Sequence, residues 1–482
     1  MKIDGVNIKG ITSDSRKVKK GYAFVAIEGY KFDGNNFIEQ AIKKGASIVY
    51  TEKNISLEKV KIIQVINARK KLAELLNIFY DYPSEKLHLI GVTGTNGKTT
   101  TSHIIDHIFS YSGFKTGLIG TMGIKCKDVY KVSKLTTPDP ETLFKTLNEF
   151  VTNGIEIVTM EVSSHALNFF RTYGLEFHVA IHTNIEKDHL NLHKTFEKYV
   201  EIKKTLFDSL NRNKLAIINI DDKNGINLIK NNDKALVITY GLNKKASITA
   251  STLQSNNNIS FNLCIQRGIT TYNGKEIEPF EFKLYLNLLG KHNIYNTLAA
   301  ASVALYFGID IDIIRKSLES FTGISRRLEK IYDNDFLVID DFCHNPSSYA
   351  AVLETIQCLK YNRIIMVNSI RGNRGVEINE DNVNEICSWI PMLGETKVIL
   401  SLSEDTVTNK DTVSKDELEI YEKILTEKKI PYKLFNTLSS SIDQALELVN
   451  KDDIILLLGA QGMNDGKKIL KKLLKKPTFL GK

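Results

Sequence analysis

A glycine-containing loop between an apolar run and a helical pattern, LHLIGVTGTNGKTTTSHII (residues 87–105), is the feature that most limits how this chain can fold. The run before the loop is continuous and apolar, which is typical of a strand buried on both faces of a parallel sheet. After the loop, Ile104, Ile108 and Tyr111 recur at helical spacing and predict one buried face. A strand, a tight loop and a helix in this order direct backbone N–H groups and the positive end of the helix dipole at an anion.

The spacing of this loop departs from the usual phosphate-binding pattern of Gly, four residues and Gly-Lys-Ser/Thr, because Val92 stands where the first glycine is expected. Gly-rich turns before helices also occur for purely structural reasons, but the joint occurrence of strand, GTNGKT and helix favours a phosphate site. Lys98 is expected to reach the phosphate oxygens, and the Thr99 hydroxyl is expected to bind Mg²⁺. The predicted nucleotide contacts of the loop are Gly94, Thr95, Asn96, Gly97, Lys98, Thr99 and Thr100.

Length and composition place the chain among globular proteins of several domains. It has 482 residues, of which 42% are hydrophobic and 25% are charged. A net charge of +8 suits anionic small substrates and falls short of a nucleic-acid-binding signature. We find neither a secretory signal nor a membrane-spanning run, and the five scattered cysteines are interpreted as free buried thiols. We therefore expect a cytoplasmic protein with no nucleic-acid partner and no membrane insertion, and we interpret it as a monomer.

Strands and helices alternate along the chain, which predicts an α/β fold with parallel sheets covered by helices. The polar segment DYPSEK and the segment FTGISRRLEKI mark two boundaries. We predict an N-terminal domain over 1–86, a central phosphate-loop domain over 87–322 and a C-terminal domain over 323–482. The last is expected to resemble a dinucleotide-binding fold without its GxGxxG loop. Near the end of the chain, GKKILKKLLKKP is either a membrane-surface helix or, as we favour, a helix that packs on the last sheet.

Two further segments carry candidate ligands. Glu161 ends the apolar run IEIVTME, and a carboxylate at the carboxyl edge of a parallel sheet suits Mg²⁺. The segment HTNIEKDHLNLHKTF holds Asn184, Asp188, His189 and His193 close together. This density also fits zinc, but no cysteine supports zinc, and Mg²⁺ with a nucleotide is the simpler interpretation.

Taken together, GTNGKTT, TTPDP, MEVSSHAL, TNIEKDHLNLH, GKHNIYNTLAA and DFCHNP resemble the Mur ligase family, with its MurE-type branch the most similar. The resemblance begins at SDSRKVKKGYAFVAIEGYKFDG and covers most of the chain. It implies an ATP- and Mg²⁺-dependent ligase that joins an amino acid to UDP-N-acetylmuramoyl-dipeptide in peptidoglycan precursor synthesis. In such ligases the acceptor carboxylate takes the γ-phosphoryl group of ATP, and the amine of the amino acid then displaces phosphate.

The resemblance also implies roles for individual residues. Lys98, Lys203 and His189 match catalytic positions, and Lys203 fits the place of a lysine that the family carbamoylates, with Lys204 fitting less well. The matching metal positions are Thr99, Glu161, His189 and Lys203. ATP contacts are implied for Asn293, Asn296, Arg327, Asp341 and His344, with Arg374 as a further counterpart. Acceptor contacts are implied for Ser15, Thr136, Thr137, Ser163 and Arg171.

Departures from the family pattern concentrate in the last domain. The expected Asp-Asn-Pro-Arg segment is absent after TKVILSL, and GAQGMN (459–464) replaces Gly-Lys-Gly-His-Glu. The ATP and Mg²⁺ positions are thus kept while the amino-acid pocket is rewritten, so the residues do not identify the amino acid that is added. A ligase of the same chemistry with another acceptor and a nucleotide-binding homologue without turnover are the two alternatives.

Overall fold

The computed structural model describes residues 1–29, 32–58, 60–133, 135–186, 193–255 and 259–475. The chain forms two compact units. The first unit comprises residues 1–249, 264–281 and 295–317, and the second comprises residues 250–263, 282–294 and 318–482. Among the residues in these described ranges, no helix has the length and apolar character needed to cross a bilayer.

The described α-helices and strands alternate over most of the chain. The α-helices are Ile38–Lys43, Ala68–Phe79, Lys98–Tyr111, Pro140–Thr152, Ser164–Asn168, Phe196–Asp208, Gly225–Ile229, His292–Tyr306, Ile311–Ser320, Pro346–Gln357, Val376–Trp389, Lys415–Glu427, Leu438–Leu448 and Gly466–Leu473. The strands are Lys2–Ile3, Val6–Asn7, Gly10–Thr12, Tyr22–Val25, Ala46–Thr51, Lys61–Gln64, His88–Thr93, Thr116–Gly120, Gly123–Cys126, Val129–Lys131, Ile157–Glu161, Val179–His182, Leu215–Asn219, Leu236–Tyr240, Ile248–Ser255, Ile259–Ile265, Ile269–Thr270, Glu276–Ile277, Glu281–Leu286, Glu329–Asp333, Leu337–Asp341, Ile364–Ser369, Thr396–Ser401, Tyr432–Phe435 and Ile454–Leu458.

In the described residues, the first unit contains a four-stranded N-terminal sheet and most strands of an eleven-stranded central sheet. The N-terminal sheet has four parallel strands that pair in chain order, from Gly10–Thr12 to Lys61–Gln64. In the central sheet the strand His88–Thr93 lies between Ile157–Glu161 and Val179–His182, with parallel pairing on both sides. These strands are apolar on both faces because helices cover both, as parallel strands require. The strand that leads into the loop of residues 94–97 is therefore held rigidly at the middle of the sheet.

The second unit contains a six-stranded sheet. Its parallel strands run in the order Leu337–Asp341, Ile454–Leu458, Ile364–Ser369, Thr396–Ser401 and Tyr432–Phe435, with Glu329–Asp333 antiparallel at the edge. Helices pack on opposite faces of this sheet, so the carboxyl ends of its strands border a crevice, the usual ligand site of open α/β sheets.

The structure confirms the α/β fold and the strands predicted around the loop, and it corrects two details. Tyr111 was expected on the buried face of the helix Lys98–Tyr111, but it is the last residue of that helix and 49% of it is exposed. Cys358 is exposed and Cys126 half-buried, so only three of the five free cysteines are buried. The C-terminal helix packs on the sheet as favoured, with Leu470 and Leu473 buried against the core.

Candidate active site

The loop of residues 94–97 is shaped by two glycines that no other residue replaces without strain. Gly97 has φ 84° at the N-cap of the helix Lys98–Tyr111, a left-handed conformation that glycine adopts readily. A Cβ on Gly97 would lie 2.6 Å from Oδ1 of Asn296, and one on Gly94 would collide with the Thr183 hydroxyl. The sequence predicted both glycines for their conformational freedom, and the structure adds close packing as the second reason.

Two lysine amines converge on this loop. Nζ of Lys98 donates to the carbonyls of Gly94 (2.9 Å) and Thr95 (2.8 Å). Nζ of Lys203 donates to the same Gly94 carbonyl at 2.9 Å. Lys203 is only 1% exposed and lies 4.7 Å from the ring centroid of Tyr199. The loop therefore gathers positive charge from two distant points of the sequence, where phosphate groups would be attracted.

Beside the loop lies Glu161, whose carboxylate is fully buried. It is adjacent to the strand that enters the loop, because Glu161 pairs with Val92. Thr99 Oγ1 donates to its Oε2 at 2.9 Å, and Thr121 donates through its backbone N (2.8 Å) and its hydroxyl (3.1 Å). Within the described ranges, no lysine or arginine forms an ion pair with Glu161. A buried carboxylate beside a threonine hydroxyl is a set of hard oxygen donors, and this set fits Mg²⁺.

The segment after the strand Val179–His182 holds the loop from the other side. Thr183 Oγ1 donates to the Asn96 carbonyl at 2.6 Å, and Asn184 Oδ1 accepts the Asn96 N–H at 2.9 Å. Of the candidate ligands in this segment, Asp188 and His189 lie outside the described residues. His193 is buried, and its Nε2 lies 3.0 Å from the Ser164 hydroxyl. No group of three or more metal-binding side chains occurs in the described part of the chain.

A buried contact between a histidine and a carboxylate lies next to this segment. Nε2 of His182 lies 3.3 Å from Oδ2 of Asp222, and Asp222 also accepts the backbone N–H groups of Ile185 and Asn224. Burial lowers the pKa of His182, and Asp222 opposes this effect. Burial raises the pKa of Asp222, but hydrogen bonds from His182 and the backbone bring it below its usual value.

Four of the five residues matched to the acceptor lie in one place, next to Glu161. Thr137 Oγ1 donates to the Glu161 carbonyl at 2.8 Å and accepts the Ser163 N–H at 3.0 Å. Arg171 Nη1 donates to the Thr137 carbonyl at 2.9 Å, and the Thr136 hydroxyl lies 3.1 Å from that of Thr121. The fifth predicted contact, Ser15, is almost buried, and its hydroxyl donates to Gln40 Oε1 at 2.8 Å within the N-terminal sheet domain.

Asn293 and Asn296 belong to the helix His292–Tyr306, and each is about 5% exposed. The Asn296 amide accepts a hydrogen bond from Thr101 Oγ1 at 3.2 Å and packs on Gly97. The Asn293 amide donates to the Leu289 carbonyl at 2.6 Å. Asn296 is thus placed directly on the phosphate loop.

In the second unit, Arg327, Asp341 and His344 lie around Phe342. The guanidinium of Arg327 lies 5.5 Å from the Phe342 ring, and the His344 ring lies 5.8 Å from it. Burial raises the pKa of Asp341, and Arg327 opposes that rise. Asp341 also accepts the Leu328 N–H at 2.8 Å, so its carboxylate is anchored at the carboxyl end of its strand.

The neighbouring Arg326 is integrated much more tightly. It has a left-handed backbone with φ 60°, and its guanidinium donates to the carbonyls of Gly459 and Ala460 and to the Asn464 side chain. Its Nε also lies 3.2 Å from Asp340, whose pKa is raised to about 6, chiefly by burial. Arg326 therefore fastens the divergent segment GAQGMN to the edge of the sheet.

The glycine-containing loop of the second unit, residues 371–375, encloses a carboxylate of the same chain. Glu417 is 1% exposed and accepts the backbone N–H groups of Asn373, Arg374 and Gly375 at 2.8–3.0 Å. Burial raises its pKa, but these bonds and one from Ser414 together bring it below its usual value. The side chain of Arg374 pairs with Asp411 at 2.8 Å. The loop N–H groups that would cradle an external anion are therefore occupied by Glu417.

A parallel sheet, a phosphate loop and a buried carboxylate at the strand ends define an α/β nucleotide-binding protein. Three family models match the chain in succession: "Mur ligase family, catalytic domain" at 7–80, "Mur ligase middle domain" at 92–304 and "Mur ligase, glutamate ligase domain" at 326–461. The chain belongs to the Mur ligase family, whose members are ATP-dependent ligases that use Mg²⁺. The domain boundaries given above stay predictions.

The curated relatives carry a common name. The UDP-N-acetylmuramoyl-L-alanyl-D-glutamate–2,6-diaminopimelate ligase 1 of Clostridium acetobutylicum is 36% identical over 94% of this chain and 90% of its own length. The ligase of the same name from Aquifex aeolicus is 39% identical over 77% and 73%.

Among solved structures, a ligase named for the same reaction has a TM-score of 0.67 at 24% identity, covering 97% of this chain and 96% of its own. The MurF ligase of Thermotoga maritima in complex with ADP has a TM-score of 0.62 at 18% identity, covering 98% and 99%. Both structural likenesses establish the fold.

Several residues of the site were missed from the sequence. Thr121 directly follows the strand Thr116–Gly120, which pairs with the strand of Glu161. The signal in the sequence was the rule that the carboxyl ends of parallel strands lie at one edge of the sheet. Tyr199 lies four residues before Lys203 on the same helix face, and its hydroxyl lies 3.1 Å from that of Thr95. Asp222 gave no local signal, because its partner His182 is 40 positions away and only the fold brings them together.

Proposed function

We propose that this chain catalyses ATP-dependent formation of an amide bond between a carboxylate of UDP-N-acetylmuramoyl-L-alanyl-D-glutamate and an amino acid, in the cytoplasm. The observation that carries the proposal is the junction of Thr99, Glu161 and Thr137. It places the phosphate loop, a metal-binding carboxylate and the predicted acceptor residues within consecutive hydrogen bonds. The acceptor in this proposal is taken from the name of the relative that this chain matches over most of its length.

The loop binds the nucleotide in this proposal. Lys98 turns from the loop carbonyls to the phosphate oxygens, and Asn296, which packs on Gly97, contacts the nucleoside. Glu161, Thr99 and His189 hold Mg²⁺, which when bound neutralises charge on the phosphates. Arg327, Asp341 and His344 are proposed as further nucleotide contacts, as the family resemblance implies.

The acceptor carboxylate attacks the γ-phosphorus of ATP, its oxygen bonds to phosphorus, and ADP leaves. The amine of the amino acid then attacks the acyl carbon, the bond to the phosphate oxygen breaks, and phosphate leaves as the amine loses a proton. Two anions must meet in the first step, so the positive charges of Lys98 and of the helix N-terminus lower its barrier. Thr136, Thr137, Ser163 and Arg171 hold the acceptor, and Ser15 contacts its uridine portion.

Lys203 is proposed to work as a carbamate formed with CO₂. The unmodified ammonium is held by the Gly94 carbonyl and the Tyr199 ring, two partners that suit a cation. A carbamate is an anion, so the modified Lys203 would offer oxygen ligands to a Mg²⁺ ion held by Glu161 and Thr99. Carbamoylation would also free the Gly94 carbonyl from one of its two ammonium donors.

In this proposal, residues of the C-terminal domain determine which amino acid is added. The relatives are named for 2,6-diaminopimelate. In this chain, Asp405, in the segment that replaces Asp-Asn-Pro-Arg, instead caps the helix Leu438–Leu448 through the N–H groups of Leu438 and Ser439. A site built for a charged side chain rejects ligands that leave its groups unpaired, so the amino-acid preference is set by this rebuilt edge.

The test is phosphate release from ATP in the presence of the UDP-linked dipeptide and a panel of diaminopimelate, lysine and small neutral amino acids. We expect release that requires both the acceptor and one amino acid, with the tripeptide identified by mass. ATP binding without release in any combination would contradict the proposal and would favour a nucleotide-binding homologue without turnover.

A further inference from the structure

Next to the acceptor residues, two guanidinium groups lie near the ring of Phe169. The Arg69 guanidinium carbon is 5.1 Å from the ring centroid, and that of Arg171 is 5.9 Å from it. We call Arg69, Phe169 and Arg171 the arginine–phenylalanine cluster. A further cation, Lys70, lies 4.9 Å from the Phe170 ring centroid.

The cluster is rigidly mounted. Arg69 is the second residue of the helix Ala68–Phe79, and its Nη2 donates to the Glu28 carbonyl at 2.9 Å. The same helix is attached to the segment after Arg171, because the Asn77 amide donates to the Gly174 carbonyl at 2.9 Å. Two separate parts of the first unit thus place their arginines on one aromatic ring.

The positive charge of the cluster is not balanced by carboxylates of the chain. In the described ranges, neither arginine of the cluster nor Lys70 takes part in an ion pair with a carboxylate. Asp139 acts on Arg171 only through space, and its oxygens accept hydrogen bonds from Thr142. Burial lowers the pKa of Arg171, and the like charge of Arg69 lowers it further.

The basic residues at the start of the helix Ala68–Phe79 do not stabilise that helix. Arg69, Lys70 and Lys71 occupy its first turn, which contains no acidic residue, and cations at a helix N-terminus oppose the helix dipole. Lys71 is accounted for by its pairing with Glu74 at 3.6 Å and by its position 5.6 Å from the Tyr50 ring. Among the residues that the structure describes, Arg69 has no such carboxylate partner.

The position of the cluster relates it to the acceptor. Arg171 donates to Thr137, and Thr137 in turn donates to Glu161 at the phosphate loop. Within the described part of the chain, each guanidinium has one hydrogen bond, out of the five N–H groups that an arginine offers. Both arginines therefore retain donors for an anionic group of a bound acceptor.

We propose that Arg69, together with Arg171, binds the carboxylate of the acceptor's D-glutamate that is not converted to an amide. This inference rests on the proposed function and adds Arg69 to the acceptor site. Two guanidiniums on one ring recognise a carboxylate with planar, charge-assisted hydrogen bonds, and the second carboxylate of the acceptor is thereby kept away from the phosphates.

The test is calorimetric titration of the whole chain with the UDP-linked dipeptide and with the two mono-amides of its D-glutamate. For the wild type we expect one mono-amide to bind about 10- to 100-fold more weakly than the dipeptide. Arg69→Ala should weaken binding of the dipeptide by a similar factor but leave binding of that mono-amide unchanged. Lys71→Ala, on the same helix turn, is the matched control and should bind like the wild type. Arg69→Gln serves as a second variant if Arg69→Ala melts early.

The diphosphate of the acceptor is the other source of negative charge. Titration with the muramoyl dipeptide lacking UDP separates the two, because loss of the Arg69 effect on that ligand would assign Arg69 to the diphosphate and overturn the proposal. Equal weakening of the dipeptide and both mono-amides would mark Arg69 as merely structural. If the wild type binds ATP but no form of the acceptor, the proposed function is contradicted as well. If both Arg69 variants bind the dipeptide as the wild type does, only the role of Arg69 is contradicted.

Discussion

The two glycine-containing loops of this chain treat anions in opposite ways. At residues 94–97, the amines of Lys98 and Lys203 converge on the loop carbonyls, and the nearby carboxylate, Glu161, is directed to a threonine hydroxyl. At residues 371–375, the loop N–H groups are occupied by Glu417 of the same chain. The first loop is arranged for an external anion and the second is closed by an internal one.

This difference separates a reactive site from a structural one that looks similar in sequence. Glycine and asparagine occur in both loops, but the acceptors of the loop N–H groups differ. In the first loop the N–H groups of Thr95 and Asn96 donate to neutral oxygens of Asn184, whereas in the second they donate to a carboxylate. A carboxylate that the chain supplies stabilises the fold, whereas a carboxylate or phosphate that a ligand supplies makes binding possible. The following experiments test that contrast, in order of decreasing expected effect.

Lys98→Ala should reduce ATP-dependent turnover at least about a thousandfold, because the charge that neutralises the transferred phosphoryl group is lost. Thermal unfolding should change little, since the lysine donates to two carbonyls of its own loop. Steady-state phosphate release and a melting curve on the same sample provide the check. A rate like that of the wild type would disprove the assignment of the loop.

Lys203→Ala should reduce turnover roughly 100- to 1,000-fold, and added short carboxylic acids should restore part of it if a carbamate is the working species. The matched control is Lys204→Ala, since Lys204 forms an ion pair with Asp208 on the outer side of the same helix. Turnover of the wild type should also fall when bicarbonate is removed. Indifference to bicarbonate, together with failed rescue of a folded variant, would count against the carbamate.

Adjacent arginines of the second unit provide an internal contrast. Arg326→Ala should lower the free energy of unfolding by about 3 kcal/mol at pH 7, because it leaves Asp340 buried and unpaired. Arg327→Ala should instead lower turnover about tenfold or more with little change in stability. Equal losses of rate and stability in the Arg327 variant would make that arginine structural.

The pH dependence of the Arg326 variant follows from Asp340. The folded-state pKa of Asp340 is already raised to about 6 and rises further without its cation. A protonated Asp340 needs no counter-charge, so the stability difference between the variant and the wild type should shrink as the pH falls from the variant's higher pKa towards about 6, and should level off below that. Denaturant unfolding at several pH values measures this, and a difference independent of pH would contradict it.

Glu417→Gln should cost about 1–2 kcal/mol of unfolding free energy and leave the KM for ATP unchanged. The pKa of Glu417 is lower in the folded protein, so its contribution is full above the unfolded pKa of about 4.3 and is lost as the pH falls through the folded value. The gap between wild type and variant should therefore close in acid. A large change in KM for ATP would show that the second loop serves the nucleotide after all.

How far the sequence predicts this molecule depends on the range of the interactions. The strand His88–Thr93, the loop and the helix after it follow from local pattern, and Glu161 from its place at a strand end. The closure of the second loop by Glu417 was not predictable, because the two segments are more than 40 positions apart and neither has a local signal. The contact between Arg326 and the segment GAQGMN was likewise not predictable, because only the fold brings the two together.

The placement of the site residues shows the same limit. Lys98 and Thr99 were assigned by spacing, and the structure brings Lys203 and Thr137 to them from other elements. Ser15 was matched to a ligand contact, yet in the structure its hydroxyl is hydrogen-bonded to Gln40. The role of Ser15, the function of His189 and the identity of the amino acid stay predictions.

The most direct test of the open phosphate loop is to follow oxygen from the acceptor into phosphate. The UDP-linked dipeptide is labelled with oxygen-18 in the carboxylate that becomes the amide, and the released phosphate is analysed by mass after one turnover with ATP and the preferred amino acid. We expect one labelled oxygen to appear in phosphate for each amide bond formed, because that carboxylate attacks the γ-phosphorus held by Lys98. Unlabelled phosphate, or label in AMP with release of pyrophosphate, would contradict it.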